Sequence, residues 1–203
     1  MILLCFAGFL RYDEISSLLC NNVKNYDEYL FLFIEKAKTD QHKNGNEVLI
    51  SKGNTVACPF SMFNRYLTIS EIALDSKIFL SRPIFRSKNV CKLIYKNKKL
   101  SYTAARQSII SRLNLVANDL NIWLHYMRSG GATAVANTNI NERCWKRHGR
   151  GKSDTCKDGY IVDSVANRLE VTKKLELYLR QNYHLVLIMV DFLWLQLFLN
   201  GSP

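Results

Sequence analysis

The stretch RCWKRHGRGKSDTCKDGY, residues 143 to 160, holds two cysteines, a histidine, six Lys or Arg and three glycines in eighteen positions, and it closes on Tyr160. Cys144, His148 and Cys156 carry metal-ligating atoms. Structural zinc takes four ligands at tight paired spacings, however, and no fourth candidate stands nearby. A metal-dependent nuclease would need carboxylates converging on two ions. Asp13, Glu14, Asp27, Glu28 and Asp40 are present, but carboxylates one residue apart point to different faces of a helix. With the metal readings weak, a basic DNA-binding loop and the approach to a nucleophile remain for this stretch. A second group lies in LHYMRSGG, where His125 and Arg128, three apart, share a helix face. Gly130 and Gly131 follow after Ser129 and would let a phosphate or a neighbouring helix approach the backbone closely.

Two further residues complete a pattern. Arg11 stands in CFAGFLRYDEI and Lys38 in EKAKTDQ, so the chain order is Arg, Lys, His-x-x-Arg, Tyr. The lysine follows the first arginine by about thirty residues, and Tyr160 follows the His-x-x-Arg by a similar distance. This order resembles the tyrosine recombinase (phage integrase) family. The wording GFLRYDEI, KTDQ, LHYMRSGGATA and RHGRGKSD is most similar to the recombinases of eukaryotic mobile elements. The resemblance covers residues 1 to 175 and implies site-specific DNA cleavage and rejoining, the chemistry of DNA recombination and integration.

The residue types suit that chemistry. A phosphodiester attacked in line builds charge on its non-bridging oxygens, and two guanidiniums, Arg11 and Arg128, can clamp them bidentately. A tyrosine hydroxyl has an ordinary pKa of about 10, so Tyr160 needs a base or a positive field to attack at neutral pH, and His125 is placed as that base. Lys38, on a hairpin, can protonate the leaving sugar oxygen. The implied intermediate is a DNA 3'-phosphotyrosine, which conserves bond energy for rejoining and calls for no metal or nucleotide cofactor. Each residue also has a structural reading. Arg11 can pair with Glu14 at a helix end, Lys38 can be a surface lysine, and Tyr160 a half-buried core tyrosine.

The chain departs from the family pattern at two places. The family carries a Trp or His about nine residues before the nucleophile, in related wording GRW, and here GRG places Gly151 in that slot, without a side-chain donor. His148 substitutes only if the turn is shifted. Tyr126 stands where a small residue is commoner, and would crowd a phosphate. The family also places a separate helical DNA-binding domain ahead of the catalytic one, so an N-terminally truncated catalytic domain is expected over residues 1–175, with 176–203 an apolar tail. The alternative expectation is a catalytically inactive DNA-binding remnant.

Charge points the same way. The 203 residues carry a formal net charge of +11, a field that favours polyanions over neutral small molecules. From Ser76 to Asn118 there is no Asp or Glu, while Lys77, Arg82, Arg86, Lys88, Lys92, Lys96, Lys98, Lys99, Arg106 and Arg112 are present. Tyr95 and Tyr102 are interleaved with them, as at surfaces that contact phosphates and sugars. Lys88, Lys92, Lys96, Lys98, Lys99 and Arg106, together with His148 and Arg150, are the candidate DNA-binding residues; the plain alternative for the segment is a solvated Lys-rich hairpin. Double-stranded DNA is the expected partner, with no small-molecule substrate, and the resemblance adds a homo-oligomeric, tetrameric synapse. Six cysteines without a C-x-x-C pair indicate free thiols in a reducing, intracellular compartment, nuclear in a eukaryotic host. In the tail YHLVLIMVDFLWLQLFLN, Asp191 and Gln196 interrupt an apolar run slightly short of a spanning helix, so a docked terminal helix is preferred to a membrane segment, and that to a foreign extension.

The elements that must position these residues follow from periodicity. Apolar spacing predicts an opening helix through Cys20, with Leu4, Phe9, Ile15 and Leu18 inward. EYLFLFIEKAKT and NEVLISKG predict a β-hairpin with a basic tip. SMFNRYLTISEI reads as a short helix, and SYTAARQSIISRLNLVANDL as a longer one with Ile109, Leu113, Val116 and Leu120 on one face. LHYMRSGGATAVAN and NINERCWKRHG read as two more, the second capped by Gly149. GYIVDSVANRLEVTKKL also reads as helical. The fold class is mostly α with a small antiparallel β-sheet near the N-terminal side, an α+β domain of the tyrosine recombinase catalytic type.

Overall fold

The computed structural model of the chain describes residues 1–36, 45–87, 90–93, 97–113, 123–136, 138, 140–150 and 165–181. Lys38, Lys88, Lys96, Val116, Leu120, Gly151, Cys156, Tyr160 and the apolar tail lie outside the described residues.

Among the described residues the chain is α+β, with seven α-helices and a small antiparallel three-stranded sheet beside a separate two-stranded hairpin. The opening apolar run forms α1, Ile2–Ala7, and stops there instead of continuing through Cys20. The Leu10 N–H donates to the Cys5 carbonyl at 2.9 Å and the Phe9 N–H to the Phe6 carbonyl at 3.4 Å, the bond pair of a Schellman motif. Phe9 fills the left-handed position of that motif at φ 47°, where glycine is usual. The left-handed backbone costs a bulky residue about 1–2 kcal/mol, and burying its ring returns a comparable 1.5–3 kcal/mol. Because the chain turns here, the adjacent Phe9 and Leu10 both face the core, and Arg11 emerges beside α2, Tyr12–Ser16. The four residues expected inward, Leu4, Phe9, Ile15 and Leu18, are all buried. Periodicity therefore identified the core side but missed the break, which rests on backbone geometry.

A 3₁₀ turn, Cys20–Asn22, leads into β1, Val23–Asn25, which pairs with β2, Tyr29–Ile34, and β2 pairs with β3, Asn46–Ser51. Leu30, Leu32 and Ile34 alternate inward along β2, and Leu30 lies opposite Ile50 and Leu32 opposite Val48. The expected hairpin is thus present, with β1 as an added edge. The end of β3 is buried on consecutive residues because the last helix crosses it: the Ser51 N–H donates to the Thr172 hydroxyl at 2.7 Å.

Helix α3, Pro59–Ser70, starts on a proline, whose missing N–H costs nothing at that position. The basic segment forms a hairpin, β4 Ile84–Ser87 with β5 Val90–Leu93, and then α4, Tyr102–Leu113. Helix α5 is His125–Ala136, α6 is Glu142–His148 and α7 is Val165–Gln181. Gly149 does cap α6, but at an ordinary φ of −73°; the left-handed residue is Arg150, at φ 56°.

Helix α1 lies in the main core, packed on α5 and on α3, while α7 lies on β3, α5 and α6. The approach of α5 to α1 depends on Gly131: a Cβ there would lie 2.1 Å from the Phe6 carbonyl oxygen and 2.9 Å from the Phe9 ring. Of the two uses the sequence allowed for this glycine, the close approach of a neighbouring helix is the one observed. A smaller cluster of Ala105, Ile109 and Leu124 fastens α4 to the start of α5. No helix among the described residues is long and apolar enough to cross a membrane.

Candidate functional site

The turn after α1 is the floor of the site. Its geometry leaves the carbonyls of Gly8 and Phe9 unused by helix bonds, and two arginines from distant parts of the chain take them. Arg128, in the first turn of α5, donates from Nη1 to the Phe9 carbonyl and from Nη2 to the Gly149 carbonyl at 2.6 Å. Arg150, just beyond α6, donates from Nη1 to Gly8 at 3.1 Å and from Nη2 to Phe9 at 2.9 Å. Its Nη2 also lies 2.7 Å from Glu14 Oε2.

Glu14 ties the third arginine in. Its Oε1 accepts from Arg11 Nη1 at 3.1 Å, and its Oε2 accepts the Arg11 backbone N–H at 2.7 Å, which starts α2. The ion pair weighed as the ordinary role for Arg11 is therefore present, but it belongs to a larger group. Arg11 and Arg150 share one buried carboxylate, and Arg128 lies within electrostatic reach of both arginines, so the cluster carries surplus positive charge. Burial, with Arg11 and Arg150 nearby, pushes the Arg128 guanidinium down to about 10, which leaves it charged at neutral pH. Burial also lowers Arg150, and Glu14 opposes that shift.

Exposure divides the labour. The Arg11 side chain is 28% exposed, whereas that of Arg150 is 3% exposed. Arg128 is intermediate, with both terminal nitrogens anchored on carbonyls and further guanidinium N–H groups beyond those two bonds. An oxyanion arriving from solvent would meet Arg11 and Arg128, with Arg150 holding the floor from behind. His125, the first residue of α5, is exposed one turn from Arg128 on the same face.

Two residues expected to touch DNA do not face outward. His148 is buried, with Nε2 2.6 Å from the Ala7 carbonyl and its ring edge-on to Phe9 at 4.8 Å. Burial pushes its pKa down to about 4, so the ring is neutral at pH 7 and donates from Nε2. Arg150 is committed to Glu14, Gly8 and Phe9. These side chains face inward because α6 packs against the α1 turn, whose carbonyls need donors that water cannot supply. For the same reason His148 does not stand in for the donor missing at Gly151.

The remaining described basic residues lie in the loop before α4, on α4 and on β5. Lys98 and Lys99 are exposed, with Lys99 Nζ 3.4 Å from the Ser17 hydroxyl. The Tyr12 hydroxyl donates to the Leu100 carbonyl, and the Tyr12 ring meets Tyr102 edge-on at 5.1 Å, so this stretch runs beside Arg11. Arg106 lies over the Trp123 ring, 4.8 Å from its centroid. Lys92 lies on β5 opposite Phe85. The strand leading to Lys38 ends beside the cluster, since Glu35 and Lys36 share a cleft with Asp13, Glu14 and Ser17. Tyr160 follows Arg150 by ten residues in the chain.

Among the described residues no three His, Cys, Asp or Glu side chains are grouped to hold a metal ion, and Cys5, Cys20, Cys58 and Cys144 are free thiols. Tyr126 is half exposed. Sequence reasoning missed the pairing of Glu14 with Arg150; an acidic residue three after Arg11 was visible, but its second partner lies 136 residues away. Trp123 was also missed, since one aromatic before a helix gives no local signal. No protein-family model matches the chain, and neither does a curated protein or a solved structure.

Proposed function

We propose that the chain cleaves and rejoins DNA strands through Tyr160, forming a covalent 3'-phosphotyrosine, as a tyrosine recombinase catalytic domain does. The observation that carries this reading is the meeting of Arg11 and Arg128 in one cluster with surplus positive charge, reachable from solvent and one helical turn from an exposed His125. Such a cluster suits the charge that builds on non-bridging phosphate oxygens. Arg11 and Arg128 clamp the phosphate, His125 takes the Tyr160 proton, and Lys38 protonates the leaving oxygen. Duplex DNA would run over Lys98, Lys99 and Arg106, and a homo-oligomeric synapse in the nucleus or another reducing compartment follows from the family resemblance.

A second reading, a DNA-binding remnant without turnover, is favoured by the inward commitment of His148 and Arg150 beside Gly151, which leaves the third phosphate donor unsupplied. One assay separates the two. With a nicked suicide substrate, the active enzyme forms a denaturant-resistant protein–DNA adduct that Tyr160→Phe abolishes and that Arg128→Lys lowers by about 10²–10³-fold, because lysine cannot reproduce the guanidinium fork. DNA binding without any adduct identifies the remnant and overturns the active reading.

A further inference from the structure

Beside the arginine cluster lies an aromatic surface that phosphate chemistry does not use. Trp123 is 48% exposed and Tyr126 is 51% exposed, although tryptophan is ordinarily among the most buried side chains by area. Leu124, between Trp123 and His125, is buried against Ala105 and Ile109, and this fixes the chain entering α5. The guanidinium of Arg106 covers the indole at 4.8 Å, so the ring is held in place and is not a loose surface residue.

A continuous path joins this surface to the phosphate cluster. Tyr12 follows Arg11 and packs edge-on against Tyr102; Tyr102 and Arg106 are four apart on α4 and share a face; Arg106 lies on Trp123; and His125 is two residues further along. The segment that supplies Tyr102 and Arg106 contains no acidic residue from Ser76 to Asn118. A half-exposed aromatic ring, held by a cation and set in a basic surface, has the chemistry of a stacking platform for a base in a polyanionic strand.

We infer that Trp123 and Arg106 form a subsite for one unpaired nucleobase next to the phosphate held by Arg11 and Arg128, so that the protein favours DNA with an extrahelical base near the cleavage point. This rests on the reading of the chain as a DNA-processing protein. A base-paired duplex keeps its bases stacked on each other and offers nothing to the indole, whereas a bulged base has a free π-face. Any of the four bases would serve, because stacking does not read hydrogen-bond edges.

The test compares a fully paired duplex with the same duplex carrying a single-nucleotide bulge, with 2-aminopurine at the bulge, by fluorescence anisotropy at fixed ionic strength. The wild-type chain is expected to bind the bulged duplex about 5- to 100-fold more tightly and to quench the 2-aminopurine, as stacking of one base on an aromatic side chain provides. Trp123→Ala should lose that preference and the quenching while binding the paired duplex within about twofold of wild type, since it removes no phosphate contact. Trp123→Phe should retain part of both. Equal affinity of the wild type for the two duplexes overturns the stacking subsite and leaves the DNA reading in place. A preference that survives Trp123→Ala overturns it as well. Failure to bind either duplex overturns both readings, and concentration-dependent self-association lost in Trp123→Ala would assign the surface to a second copy of the chain instead.

Discussion

Glu14→Gln tests the architecture of the arginine cluster directly. The substituted amide would keep the size of the side chain and one oxygen for the Arg11 N–H, but it would remove the carboxylate charge placed against Arg150, whose side chain is 3% exposed. Breaking a buried ion pair from one side leaves an uncompensated charge and costs about 3–5 kcal/mol. For a chain of this size, each kcal/mol moves the melting temperature by about 2–4 °C, so a fall of roughly 6–20 °C is expected. The control is Asp13→Asn on the same helix: Asp13 is exposed, and its loss should stay within about 0.5 kcal/mol. Thermal and urea unfolding followed by circular dichroism at pH 7 measures both. A second readout is specific to the charge argument. Sulfate should raise the melting temperature of Glu14→Gln more than that of the wild type, when compared with chloride at equal ionic strength. A loss below about 1 kcal/mol, or an equal loss in Asp13→Asn, would refute the claim that Glu14 balances the buried guanidiniums.

His148 and the glycines of α5 give two more expectations. The His148 pKa is about 4 in the folded chain against an ordinary 6.5, so between those values the unfolded chain binds the extra proton. This contribution to stability is intact above pH 6.5, falls by about 3 kcal/mol as pH drops toward 4, and is level below that. Urea unfolding across pH 4 to 7 should show that slope in the wild type and lose it in His148→Gln; equal slopes would mean the ring is not held neutral. Gly131→Ala should destabilise by about 1–3 kcal/mol through overpacking against Phe6 and Phe9 and weaken DNA binding by displacing Arg128. Gly130→Ala meets only the Phe6 ring at 3.4 Å, so it should be neutral or gain up to about 1 kcal/mol from helix propensity. Denaturant midpoints for the pair check the contrast, and equal effects would refute the close α1–α5 contact.

Much of the fold was legible locally. The alternation of Leu30, Leu32 and Ile34 announced a half-buried strand, and the i, i+3 spacing of His125 and Arg128 placed them on one helix face. The end of α6 at Gly149 was likewise readable, although the left-handed backbone belongs to Arg150. These signals depend on residues within a few positions of one another, where the periods of helix and strand operate. The break after Ala7 was not legible, because Phe9 adopts a conformation its own chemistry disfavours and is held there by tertiary burial and by two guanidiniums on its carbonyl.

The division is clearest at the site. The amino-acid sequence alone determined which residues bring charge and nucleophilic atoms, where the basic segment lies, and that Gly151 supplies no side-chain donor. Only the tertiary structure decided that Arg11 and Arg150 share Glu14 with Arg128 close to them, that His148 and Arg150 face the core and not a duplex, and that Trp123 stands exposed beside His125. Side-chain type is a local property. Whether a charge serves a ligand or a buried carbonyl depends on which distant backbone groups lack a partner, and that is known only once the chain has packed.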